Sequence, residues 1–145
     1  MTAVATGDAG STQGLTLPGS DLLDSMGFLR IVDVDREAGR VRAEFEVLPR
    51  FCHTDGTIAQ GGFVTAWLDF SMAQAALVRG GPQVVGVATL ELKVTFLQRV
   101  GPGRVVAEGR VQRMGRRVAF LEASLHDPSG GLLATASSTA IVNGR

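Results

Sequence analysis

The stretch Gly61-Gly62-Phe63-Val64-Thr65-Ala66-Trp67-Leu68-Asp69-Phe70-Ser71-Met72-Ala73-Gln74-Ala75-Ala76-Leu77-Val78 decides the fold. It opens on two glycines and then reads as one continuous apolar helix, stopped by Arg79-Gly80-Gly81-Pro82. Val64, Trp67, Leu68, Ser71, Met72 and Ala75 fall on one side at helical spacing, and Phe63, Ala66, Phe70, Ala73 and Leu77 cover much of the remainder. A helix apolar nearly all round is a central one. Asp69 is its only charged residue. Burying even an unpartnered polar group costs about 2–7 kcal/mol, so this carboxylate needs a partner, a raised pKa, or both. It serves either as a working group or as an Asp at a subunit boundary or in a side-chain hydrogen bond.

Outward from the helix, the chain reads as strand. Phe28 to Val34 and Val41 to Val47 are two strands joined by the polar turn 35–40, and the second alternates strictly, with one face buried and one wet. Val84 to Phe96, Arg104 to Gln112, Arg117 to His126 and Leu132 to Val142 follow, separated by turns rich in Gly, Pro and Asp. Strands this long must curve, and the apolar helix is the object to curve around. The expectation is an α+β hotdog fold, an antiparallel sheet of five to six strands wrapped around one long central helix. Such a sheet ends in an edge strand that invites a second copy, so a homodimer with a continuous sheet is expected. Ser20 to Met26 predicts a short helix with Ser20 as N-cap and Gly27 as its stop, and the stretch from Pro49 to Gln60 reads as irregular. Residues 1–19 read as a disordered arm, with residues 20–145 as a single domain.

Composition narrows the function. The 145 residues carry 14 Lys+Arg against 14 Asp+Glu, so no net field favours nucleic acid or an acidic membrane. Cys52 stands alone, giving neither an intrachain disulfide nor a zinc spacing. The start lacks the basic and apolar segments of a signal peptide, and Phe63 to Val78 is too short and too interrupted by Asp69 to span a bilayer. A cytoplasmic protein without nucleic-acid or membrane partners is expected.

Gln60-Gly61-Gly62 places bare backbone N–H groups at the positive end of a helix dipole. Donors of this type stabilise the oxyanion of an attacked acyl group; two glycines also suit close helix-to-sheet packing. Asp69 lies seven residues beyond Gly62, about 10 Å along the axis. If both act on one carbonyl, the carboxylate comes from a partner subunit across a two-fold axis.

The run from Gly56 through Gln60-Gly61-Gly62 to Asp69, with Gly86 to Leu97, Gly101-Pro102-Gly103 and the hairpin Met114 to Phe120 downstream, resembles the PaaI-like hotdog acyl-CoA thioesterases. The resemblance covers Phe28 to Val142. It implies hydrolysis of an acyl-CoA by a homodimer or a dimer of dimers, with coenzyme A entering only as part of the substrate and no other cofactor or metal. It makes Asp69 the general base or nucleophile, Gly62 the oxyanion donor, and Thr89 the hydroxyl that positions water or steadies the carboxylate. On the residues alone, Thr89 shares strand parity with Glu91, Lys93 and Thr95 and reads equally as a surface threonine. Gln60 stands where the family carries His, and its amide can donate without pH dependence. Thr54 occupies the position of a family Asn unless an insertion shifts Asp55 or His53 into that role. Gly61, His53 and Asp55 are therefore expected around the substrate, and Arg113, Arg116 and Arg117 cluster at a hairpin tip where Arg forks suit phosphates. A noncatalytic acyl-CoA binder or sensor is the alternative.

Overall fold

The computed structural model describes residue 15 and residues 17–144. Helix α1 (Ser20–Ser25) leads into strands β1 (Phe28–Asp35) and β2 (Arg40–Val47), then a 3-10 turn (Pro49–Phe51) and the short strands β3 (Cys52–His53) and β4 (Ile58–Ala59). Helix α2 (Gly61–Gly80) follows, with strands β5 (Val84–Phe96), β6 (Gly103–Met114), β7 (Val118–His126) and β8 (Leu132–Gly144) behind it. The six long strands form one antiparallel sheet in the order β1-β2-β6-β7-β8-β5, leaving β1 and β5 as its edges. This is the α+β hotdog arrangement.

Alternation builds the core. Val41, Ala43, Phe45 and Val47 of β2 all point inward and are buried against α2, while Arg42, Glu44 and Glu46 form ion pairs on the outer face. Trp67, fully buried, donates its indole N–H to Met26 O at 2.7 Å and so ties α2 to the junction of α1 and β1. Its ring meets Phe45, which in turn packs on Phe28 and Phe70 with centroids 5.8–5.9 Å apart. Truncating a ring in such a cluster to Ala costs about 3–5 kcal/mol. Sheet and helix touch most closely at Gly109, where an added Cβ would lie against the Ser71 carbonyl and 2.6 Å from Met72 N.

Four expectations change. The helix is not wrapped on every side: Gly62, Ala66, Asp69, Ala73 and Leu77 form a stripe that stays exposed or half-buried, because six strands curve around only part of a helix. Asp69 therefore sits half-exposed on this stripe rather than in the core. The 49–60 stretch holds a two-stranded hairpin, with Cys52 opposite Ala59 and His53 opposite Ile58. The N-cap of α1 is Gly19 without a side-chain bond, not Ser20. Of the expected arm, residues 1–14 and 16 lie outside the described residues, whereas Leu15 and Leu17 pack against the core.

Candidate functional site

Two features of the sequence mark the candidate site: the start of α2 and the middle of β5. At the first, Gln60 is the N-cap of α2, in extended backbone conformation, and its side-chain Oε1 accepts from Gly62 N at 3.4 Å. The amide thus works as an acceptor toward Gly62, and Nε2 is the half left to donate. Gly61 and Gly62 differ in their surroundings. A Cβ on Gly61 would meet the Phe96 ring at 3.1 Å, while one on Gly62 would meet nothing within 4 Å. The first glycine lies against Phe96 of β5, and the second leaves open space beside an N–H whose partner is the Gln60 oxygen.

At the second feature, Thr89 Oγ1 donates to Asp69 Oδ1 at 2.6 Å. Strand parity alone would have turned this threonine to the wet face. A β-bulge overrides it: Thr89 pairs with Ala140 but Glu91 pairs with Thr139, so Leu90 is an extra residue. Directly opposed residues share a face, and Ala140 is fully buried on the helix side. Thr89 accordingly faces α2. Glu91 falls on the other face, where Thr139 Oγ1 donates to it at 3.0 Å.

The hairpin β3–β4 grips the start of α2. Ala59 N donates to Val100 O at 2.7 Å and Gln60 N to Phe51 O at 2.9 Å, and Phe51 stacks on Phe63 at 4.3 Å. Its tip runs through Thr54, Asp55 and Gly56, all three in the left-handed region at φ 54°, 55° and 75°, a conformation costly for the two non-glycines. His53, Thr54 and Asp55 are exposed there, with His53 Nδ1 2.8 Å from Thr54 Oγ1. Burial raises the Cys52 thiol above its ordinary value, so it stays protonated at neutral pH.

Of the expected site residues, the fold joins Thr89 to Asp69 and Gln60 to Gly62, and it keeps Asp69 seven residues along the helix from Gly62 within one chain. Arg113, Arg116 and Arg117 are exposed at the opposite end of α2, where the Met114 side chain approaches Gly80. Helix α2 has 20 residues, so that end is about 27 Å from Gly62. Sequence reasoning missed a concavity of about 470 Å³ beside Gly61, bordered by His53, Ile58, Phe96, Leu97 and Arg99. Its only signal was the apolar pair Phe96-Leu97 at the end of a strand. A second concavity, about 440 Å³, lies on the outer face of the sheet among Lys93, Glu108, Arg110 and Glu122, away from Asp69. Among the described residues no group of three or more His, Cys, Asp and Glu side chains is gathered as a metal ion would need, and no helix is long and apolar enough to cross a membrane.

Comparison with known proteins agrees with this fold. The model of the thioesterase superfamily matches residues 56–134. A Saccharolobus solfataricus protein provisionally named an esterase is 30% identical over 109 residues, 75% of this chain and 76% of its own. The crystal structure of a Ralstonia eutropha JMP134 protein, provisionally named a thioesterase related to phenylacetic acid degradation, is 28% identical with a TM-score of 0.74, covering 87% of this chain and 92% of that one. The PaaI protein of the E. coli phenylacetic acid degradation operon shares the fold at 14% identity, with a TM-score of 0.76 over 87% of this chain and 86% of its own. Fold and relatives define a hydrolase of thioesters on a hotdog scaffold. The chain belongs to the thioesterase superfamily, and its fold is PaaI-like.

Proposed function

We propose that the protein hydrolyses an acyl-CoA to the free acid and coenzyme A in a site shared between two protomers. The observation that carries this reading is the Thr89–Asp69 hydrogen bond at 2.6 Å on the uncovered stripe of α2. The stripe of Gly62, Ala66, Asp69, Ala73 and Leu77 and the open edge β5 lie together, and both suit a second copy related by a two-fold axis. With two α2 helices antiparallel, Asp69 of one approaches Gly62 of the other. Dimers of such dimers fit the same scheme.

In that site Asp69 takes a proton from water, and the hydroxide adds to the thioester carbon. The oxyanion is held by Gly62 N–H, with the Gln60 amide assisting once its oxygen swings off that N–H. The C–S bond then breaks, and the sulfur leaves with the proton that Asp69 had taken. Direct attack by Asp69 gives instead a mixed anhydride that water opens, with the same products. Thr89 holds the carboxylate in place by either route. The acyl group lies along the stripe between the protomers.

One observation favours a noncatalytic acyl-CoA binder: the Gln60 oxygen already occupies Gly62 N–H. Free-thiol release from a panel of aliphatic and aromatic acyl-CoAs separates the two. Release that disappears in Asp69→Asn, with the oligomer intact by size exclusion, supports the enzyme. Binding of the panel with no release from the native protein establishes the binder.

A further inference from the structure

We infer that Ser124 and His126, on the outer face of the sheet, form a second hydrolytic centre that cleaves small polar oxygen esters independently of Asp69. His126 Nε2 lies 2.8 Å from Ser124 Oγ, and His126 Nδ1 lies 3.4 Å from Gly130 O. A carbonyl oxygen only accepts, so Nδ1 carries the ring proton, and the bare Nε2 accepts from the hydroxyl. A nucleophile in reach of a base that a third group orients is the arrangement serine hydrolases reach on unrelated folds. The third group is itself held. Asp127 Oδ1 accepts from Ser129 N, Ser129 Oγ and Gly131 N at 3.0, 2.7 and 2.8 Å, and Asp127 N donates to Gly131 O at 3.0 Å. These bonds close the β7–β8 turn and keep the Gly130 carbonyl beside the imidazole.

Position makes the pair usable. Ala123 and Leu125 are buried on the helix side, so Ser124 and His126 point the other way and stay half-buried. Ser124 borders two concavities, of about 440 Å³ and about 550 Å³, which also share Glu108 and Arg110. Thr95, Thr135 and Ser137 line the first, suiting a polar alcohol, and Val106 and Pro128 border the second, suiting a short acyl group. Glu108 stands opposite Ser124 in the ladder, and Arg110, two residues on, shares its face. Glu108 orients the Arg110 fork through a 2.6 Å bond, and the other N–H groups of that guanidinium are donors for an oxyanion. Ser124 Oγ adds to the ester carbon as its proton passes to His126 Nε2. The C–O bond then breaks, and the alcohol leaves with that proton. Water, deprotonated by His126, opens the acyl-serine to the free acid and restores Ser124.

The test is labelling of the full-length protein with a fluorophosphonate, in which a P–Oγ bond forms and fluoride leaves, read by intact and peptide mass spectrometry. A single adduct per chain is expected on Ser124, absent in Ser124→Ala and formed roughly a hundredfold more slowly in His126→Gln. Hydrolysis of para-nitrophenyl acetate, followed in Asp69→Asn protein so that the thioester site is silent, should fall by a similar factor when either substitution is added. An adduct elsewhere, or none, overturns the inference. So does labelling of His126→Gln at the native rate, since Ser124 is then an ordinary surface hydroxyl, and so does nitrophenol release that Ser124→Ala leaves unchanged. The position of the adduct in the native chain decides the matter even where a variant fails to fold.

Discussion

Thr89 Oγ1 donates to Asp69 Oδ1 at 2.6 Å because Leu90 is one residue too many for the ladder between β5 and β8. The bulge turns a threonine from the wet face to the helix and leaves Glu91 outside. A hydrogen bond to a charged group is worth about 1.5–3 kcal/mol, which sets the size of the effect. Thr89→Val is expected to lower kcat for thioester hydrolysis at least tenfold and Thr89→Ser to restore most of it. Steady-state kinetics on both variants check this, and equal rates in Val and Ser would remove Thr89 from the site.

Gly62 offers a sharper contrast. A methyl group there meets no atom within 4 Å, and glycine in a helix costs roughly 0.5–1 kcal/mol relative to Ala. Gly62→Ala is therefore expected to raise stability by about 0.5 kcal/mol and at the same time to depress kcat, because the methyl crowds the approach of substrate to its N–H. Urea unfolding and thiol release on one preparation read both. Lower stability, or full activity, contradicts the assignment of this glycine to substrate approach.

Gly109 behaves in the opposite way. Its added Cβ would press on the Ser71 carbonyl and Met72 N at the closest crossing of sheet and helix, and backbone cannot move aside as a flexible side chain does. Gly109→Ala is expected to cost about 3 kcal/mol by overpacking, seen as a lower urea midpoint with an unchanged slope.

Burial raises the Cys52 thiol above 9.0. An acid whose folded pKa lies above its unfolded one contributes stability that is fully present below the unfolded value and is lost as pH rises through the folded value. Cys52→Ala should thus remove part of the decline in stability above pH 9, and the native thiol should react with iodoacetamide more slowly at pH 7.5 than an unfolded cysteine peptide. Alkylation at the peptide's rate would show that the thiol is not shielded.

The long elements were legible because their signals are local. Gly61-Gly62 and Arg79-Gly80-Gly81-Pro82 bracket α2, and strict alternation marks β2. The missed features depend on pairing between distant segments. No Gly or Pro announces the bulge at Leu90, so parity placed Thr89 with Glu91. Strands of two residues, such as β3 and β4, are too short for any period to show. The concavity at Gly61 exists because Ala59 N meets Val100 O, a contact that only the folded chain makes. Gln60 was legible as a polar group at the helix start, but its turn toward Gly62 N was not. The residual stripe on α2 looked like core because its Ala and Leu carry no mark of whether sheet or partner covers them.

The central claim is that Asp69 of one protomer and Gly62 of its partner serve one thioester. Mixing inactive Asp69→Asn with inactive Gly62→Val, by co-expression or joint refolding, tests it directly. Random pairing makes half the dimers mixed, each with one intact site, so thiol release should return to about a quarter of the native rate. Mixtures that stay as inactive as either variant alone, with mixed dimers demonstrated by mass spectrometry, would contradict it.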